Sequence, residues 1–497
     1  MEPFDVVITR TVASYPTEAP FHPDTEFPEY PFRGMGAVSQ QPNYAYAAVR
    51  NVLRQAQLDS ANYGRDCWNP LGHLAKRGDA VLLKPNLVFH INQRHPESLD
   101  ALITHASVVR AMLDYVFIAL RDTGQIVIAD APLQSADFAT ILAASGLASV
   151  VEFYRQVGRF DVPVIDLRAV RSVTDRFGAI LKTEHRMGDP RGAVPVNIGT
   201  MSMHHHVPKR DTLLRVSDYD AQETVSHHSA GKHEYQVAQS VLDANLVINM
   251  PKLKTHCKAG ITIAMKNLIG INVNKSWLPH YAAGSPSGDG DEYAHDGWIN
   301  WLRSHAQKML RRKPALWRIA RTFGHPLLAQ QARKEHRRFG APDEVSPIGG
   351  GSWHGNDTLW RTIIDLNRIL FYARPDGTLA EIPQRKYLAI VDGIIAGEGE
   401  GPLLPDPLPA GVLLFGQNPV AVDWVGALLL GIDPQALRQL TGALWDGKLG
   451  LAANAETFRL VSDIPEWHSG MYALGRHSLR AKMPAGWRGH VELKWSA

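Results

Sequence analysis

The stretch NLVINMPKLKTHCKAGITIAMKNLIGIN (residues 245–272) decides how the chain is read. NLVINM is a short apolar run bounded by a proline, the pattern of a strand covered on both faces. Four lysines, a histidine and a cysteine follow it, framed by residues suited to a core. Polar side chains that emerge where a buried strand ends are where open α/β sheets keep their ligands. If the chain stays extended to His256, alternation puts Lys252, Lys254 and His256 on one face, with Leu253 and Thr255 on the other. A helix starting near Ala259 would align Lys258, Thr262 and Lys266 in one row. Gly260 would allow close backbone approach, and a helix N-terminus favours anions. The sum is a pocket for a carboxylate, a phosphate or an acidic sugar, with His256 suited to proton transfer near neutral pH. Solvated lysines at a strand end are the plain alternative.

Outward from this stretch, strand-like and helix-like segments alternate. AVLL within 78–89 leads to a turn at Lys84-Pro85-Asn86, 105–124 reads as a helix stopped by Gly124, and QIVIADAP (125–132) reads as a strand. Residues 42–56 and 355–373 have helical spacing, the latter with Asn356 or Asp357 at its start. Residues 187–235 read as polar loop, and a helix is expected around 235–242. YLAIVDGIIAGEGEGP (387–402) and GVLLFGQNPVAVDWVGALLLG (411–431) add a strand and a strand–turn–helix. The expected fold class is α/β: mostly parallel sheets with flanking helices, in two lobes meeting at a cleft. The expected division is 1–300 as an α/β region with the Lys/His motif, 301–345 as a basic helical insertion, and 346–497 as a second α/β region.

The bulk composition narrows the class. Of 497 residues, 45% are hydrophobic and 20% charged, as in globular domains, and the length suggests two or three domains. Two cysteines, Cys67 and Cys257, exclude a disulfide framework and four-cysteine iron–sulfur ligation. They point to a reducing cytoplasm. The N-terminus lacks a secretory pattern and no apolar run is long enough to span a bilayer. The net charge of +3 conceals an asymmetry: residues 303–340 hold eleven Lys/Arg and one acid, so the remainder carries 41 basic and 48 acidic residues. With Leu310, Trp317, Ile319 and Phe323 interleaved, this segment suits an anionic membrane surface or a protein partner, at the inner membrane face. Nucleic acid would fit the charge, but no binding motif accompanies it.

The segment 245–272, with NKSWLPHY and GDEY downstream, VLLKPNLV and VIADAP upstream, and the late IVDGIIAGEGEGP and NPVAVDWVG, closely resembles the bacterial family called domain of unknown function 362. That resemblance spans about residues 78–432 and implies no reaction. More distantly, Lys254-Thr255-His256, Ala259-Gly260, Lys266 and Gly270 are similar in spacing to a motif of the nickel-pincer lactate racemase superfamily. The similarity implies His256 as acid/base, Lys266 as carrier of a pincer-type nucleotide cofactor, and His280 as a metal ligand. Ala264-Met265 stands where the racemases have two glycines. Asp130-Ala131-Pro132 stands where they carry a second histidine, which leaves Asp130 as the other acid/base if burial raises its pKa.

The expected site therefore has His256, Lys266 and Asp130 in catalysis, with Lys84, Asn86, Lys252, Lys254, Thr262 and Asn267 binding an anionic substrate. His280, Asp291 and Glu292 are candidate ligands for nickel, iron or zinc. The histidines at 204–206, 227, 228 and 233 are alternative ligands or plain polar surface. Asp392, Glu398 and Glu400 suit either a carboxylate pair or an acidic turn. The expected function is that of an enzyme using acid/base chemistry on a small anionic metabolite of the hydroxy-acid or acidic-sugar type, isomerase-, epimerase- or lyase-like. The alternative is a non-catalytic anion- or metal-binding accessory protein of a membrane-associated biosynthetic assembly.

Overall fold

A computed structural model describes residues 2–121, 123–174, 180–217, 219–229, 231–296, 300, 350–468 and 470–494. The expected basic insertion (301–345) lies outside these residues.

Eleven strands form one mixed, mostly parallel sheet. In chain order they are β1 (Asp5–Arg10), β2 (Ala80–Pro85), β3 (Gln125–Asp130), β4 (Val164–Asp166), β5 (Leu246–Met250), β6 (Lys252–His256), β7 (Gly260–Thr262), β8 (Lys386–Glu400), β9 (Leu404–Leu408), β10 (Val412–Gly416) and β11 (Arg459–Ser462). The spatial order is β11-β1-β10-β8-β5-β2-β3-β4, with β6 and β9 against the far half of β8 and β7 against β6. The stretch β8-β5-β2-β3-β4 is parallel, and β10 runs antiparallel to both β8 and β1. Strands from both sides of 301–345 therefore share this sheet, with β8 hydrogen-bonded directly to β5.

The apolar runs are continuous because both faces of the sheet are covered. On one face Val81, Leu83, Ile248, Met250, Ile390 and Phe415 pack with α1 (Tyr44–Gln55) and α2 (Ala106–Leu120). On the other, Leu82, Val247, Leu253, Val391 and Leu414 pack with α3 (Ala264–Asn267), α4 (Leu359–Tyr372) and α5 (Pro419–Leu430). Asn43 caps α1 and Asn418 caps α5 through their side chains. Asn356 accepts from the N–H groups of Thr358 and Leu359 at the start of α4.

Several local expectations differ from what is seen. Helix α2 ends at Arg121, held at φ +49, rather than at Gly124. Residues 187–235, expected as loop, contain strand Ala193–Asn197 and helix Ala221–His227; the strand pairs with Lys232–Ala238, so of the helix expected around 235–242 only Gln239–Leu242 forms. Alternation in HEYQVA outweighed its helical pattern, since these strands could pair. Most consequential, Ala259 does not start a helix. Residues 252–262 form the β6–β7 hairpin, with Lys254 opposite Thr262 and His256 opposite Gly260. Gly260 sits at φ +78, and a Cβ there would lie 2.7 Å from Leu437 and 3.0 Å from Trp487. Its role is the turn and close packing rather than approach to a ligand.

Candidate functional site

The site forms where β2, β3 and β5 end, on the carboxyl side of the parallel strands, as expected for an open α/β sheet. Its floor is a buried polar network. Lys84, the last side chain of β2 before Pro85, donates to Asp130 Oδ1 at 2.7 Å, and Asp130 Oδ2 accepts from the Leu87 N–H at 2.8 Å. Gly270 covers this pair so closely that a Cβ would stand 2.0 Å from Asp130 Oδ1 and 2.6 Å from Lys84 Nζ. Beside it runs a chain of amides. Asn249 Nδ2 donates to Ala264 O and to the Tyr387 hydroxyl, while its Oδ1 accepts from Asn267 Nδ2 at 2.7 Å. Asn267 Oδ1 accepts from Asn86 Nδ2, and Asn86 Oδ1 accepts from Lys254 Nζ at 3.2 Å. Lys254 also donates to Leu102 O at 2.6 Å and has no exposed surface. Lys254 thus lies in the wall, where burial and then the neighbouring Lys266 and Lys252 hold its pKa well below the usual lysine range. Lys84, Asn86, Asp130, Lys254 and Asn267 are one connected structure.

Above this floor stand His256, Lys266 and His280. Helix α3 carries Lys266, and its N-terminus is fixed by Asp423 from α5. That carboxylate accepts from the Ala264 N–H at 2.6 Å and from the Met265 N–H. Asp423 therefore caps a neighbour, not its own helix. Burial pushes its carboxyl well above the usual range against those two bonds. Lys266 has no hydrogen-bond or ion-pair partner among the described residues, and it is less buried than Lys254. Burial first, and then the ammoniums of Lys258 and Lys84, bring its pKa down to about 8, although Cys257 acts the other way.

The two histidines have opposite tautomers. His256 Nδ1 accepts from the N–H groups of Lys258 (3.0 Å) and Ala259 (3.2 Å), so the ring proton resides on Nε2. His280 Nδ1 lies 2.6 Å from Leu278 O and must donate to it, so Nε2 keeps its lone pair. Both imidazoles are neutral at physiological pH. Burial holds His256 well below 6.5, reinforced in turn by Lys266, Lys254, Lys258 and His280. Burial does the same to His280, reinforced by Lys258 and Lys266. The shared perturbers put both rings and Lys266 close to one another. Thr262 Oγ1, on the hairpin face of Lys254, is buried without a partner.

Other expected residues are employed elsewhere. Lys252 is tied to Asp392 at 2.6 Å and to the Tyr15 hydroxyl at 2.8 Å, with no exposed surface. Its buried ion pair secures β6 to β8. Glu398 and Glu400 accept from the Lys482 and Ala485 N–H groups, docking the C-terminal segment instead of forming an acid/base pair. Asp291 accepts from the Asp357 N–H at 2.8 Å, the Thr358 hydroxyl at 2.6 Å and the Ala282 N–H. Glu292 accepts from the Gly284 N–H. These bonds take up the carboxylates expected to join His280 on a metal. Among the described residues no group of three or more His, Cys, Asp or Glu side chains could hold a metal ion, the histidines of 204–233 included. Among the described residues this donor set does not fit nickel, iron or zinc.

Sequence reasoning missed Asn249 and the capping of α3 by Asp423. The signal for Asn249 was its position as the one interior polar residue of an otherwise apolar strand. Lys275, which could equally have been a solvated lysine, is buried: it donates to Ile269 O and Asn272 O, and burial brings its pKa to about 7.

Known proteins give the following context. A "Thylakoid-associated protein sll1697" of Synechocystis sp. is 22% identical over 367 residues, covering 74% of this chain and 68% of the relative. A crystal structure of a Thermotoga maritima protein aligns over 72% of this chain and 54% of its own, with 9% identity and a TM-score of 0.28. The profile of the family described as domain of unknown function (DUF362) matches residues 81–208 and 202–428, which include every part of the network above. With most of its length matched, the chain belongs to the DUF362 family.

Proposed function

We propose that the protein is an enzyme acting on a small anionic metabolite, of the hydroxy-acid or acidic-sugar type, by histidine-mediated acid/base chemistry. The observation that carries this reading is Lys266, an amine with no bonded partner among the described residues. It lies near His256 and His280, and the carboxylate of the floor, Asp130, is already paired with Lys84. A cation held partly out of water without counter-charge is costly, and an anionic ligand would relieve that cost.

The tautomers assign the roles. His256 cannot serve as the base through Nε2, because that nitrogen carries the proton. It donates a hydrogen bond to an oxyanion, without the cost of an imidazolium. His280 offers a lone pair and takes the proton from substrate carbon or hydroxyl. Asp130 keeps Lys84 and the Leu87 N–H in place and takes no part in proton exchange. Lys266 meets the anionic group, while Lys254 keeps Asn86 in place behind it.

Thermal stabilisation by a panel of hydroxy acids, 2-oxo acids and sugar acids tests the reading. Ligands at a hundred times Kd stabilise by about 2.7 kcal/mol. Lys266→Met should abolish the effect, and His280→Gln should abolish turnover of a stabilising compound while preserving its binding. Stabilisation unchanged by Lys266→Met would overturn the site.

The name of the thylakoid-associated relative favours a second reading, an accessory role at a membrane through 303–340. Flotation with anionic liposomes, compared between the full chain and a 303–340 deletion, separates the two. No helix among the described residues is long and apolar enough to cross a membrane.

A further inference from the structure

The lysines of this cluster differ in what they are free to do. Lys84 is held by Asp130, Lys254 by Leu102 O and Asn86 Oδ1, and Lys275 by Ile269 O and Asn272 O. Lys266 alone of these four has no bonded partner among the described residues and is only half-buried. It stands on a one-turn helix pinned by Asp423 on one side and by Asn367, which donates to Met265 O at 3.0 Å, on the other. A rigidly mounted amine without a counter-ion, among other cations and beside a neutral N–H donor, is the arrangement that activates a lysine as a nucleophile.

We propose that Lys266 forms an imine with the carbonyl carbon of a small anionic aldehyde or 2-oxo acid. The inference rests on the anion site above and names its substrate class. The Nζ lone pair adds to the carbonyl carbon, and one amine proton passes to the carbonyl oxygen. The second amine proton and the hydroxyl then leave as water, and N=C remains. In this step the His256 Nε2–H would donate to the oxygen while it carries charge, and the His280 lone pair would take a proton from the adjacent carbon. With Lys266 near pKa 8 and exposed lysines near 10.5, roughly two-hundred-fold more of Lys266 is neutral at pH 7.5.

The test uses the full chain with glyoxylate or pyruvate and sodium cyanoborohydride, which delivers hydride to the imine carbon and fixes the adduct as a secondary amine. Intact mass and peptide mapping locate the modification. The expected result is one adduct, on Lys266, formed on the order of a hundred-fold faster than on exposed Lys76, Lys448 or Lys494. It should be competed by sulfate and formed far more slowly with uncharged acetone. Lys266→Arg keeps the charge and cannot form the imine, so it should bind sulfate and take no adduct. Modification spread evenly over surface lysines overturns the proposal. Sulfate binding by the wild type without a Lys266 adduct overturns the imine and leaves the anion site standing. Loss of both overturns the two together.

Discussion

Replacing Gly270 with alanine sets two physical expectations against each other. Gly270 lies in a helical turn, Leu268–Ile271, and does not need a left-handed backbone. Judged locally, alanine would stabilise by about 0.4–1 kcal/mol through a less flexible unfolded chain. The fold reverses that sign. The new Cβ would fall 2.0 Å from Asp130 Oδ1 and 2.6 Å from Lys84 Nζ. Neither side chain can swing aside cheaply, since both are buried and Asp130 is also pinned by the Leu87 N–H. Separating a buried pair costs about 3–5 kcal/mol, so the net loss should be roughly 2–4 kcal/mol. Urea unfolding followed by circular dichroism should show a lower midpoint with an unchanged m-value. In a Lys84→Ala/Asp130→Ala background the Cβ has nothing to strike, and the same substitution should be neutral or stabilising. A Gly270→Ala protein at least as stable as the wild type would refute the close packing of this pair.

Three further outcomes follow from the geometry. Sulfate binding, measured by calorimetry, should weaken about tenfold or more as pH rises through 8, because Lys266 then loses the charge that the anion contacts; Lys266→Met should bind weakly at every pH. Lys275 has a folded pKa of about 7 against an unfolded value near 10.5, so unfolding takes up a proton between those limits and stability rises with pH across that window. Its contribution should grow by about 3 kcal/mol from pH 7 to 9.5, and the unfolding midpoint of Lys275→Met should have a correspondingly flatter pH profile. Asp423→Ala strands the Ala264 and Met265 N–H groups, which should cost about 2–4 kcal/mol in chemical denaturation. It should weaken sulfate binding as well, because it loosens the mount of Lys266.

The sequence by itself determined the sheet and the place of the site. Apolar runs such as NLVINM and AVLL can satisfy both faces only inside a layered α/β fold, and polar residues clustered at their ends had to collect at one edge. Lys84, Asn86, Asp130, Lys254, His256, Lys266 and Asn267 were all legible in this way. Their roles were not. Periodicity treats Lys252 and Lys254 alike, yet Asp392, 140 residues away, removes one from the site. The 252–262 segment became a hairpin because β8 offered an edge to pair with, which no local pattern encodes. Which histidine donates and which accepts depends on a single neighbour of each ring: backbone N–H groups for His256, a carbonyl for His280. Hydrogen-bond direction and burial arise from long-range packing, and so only the tertiary structure decided the chemistry.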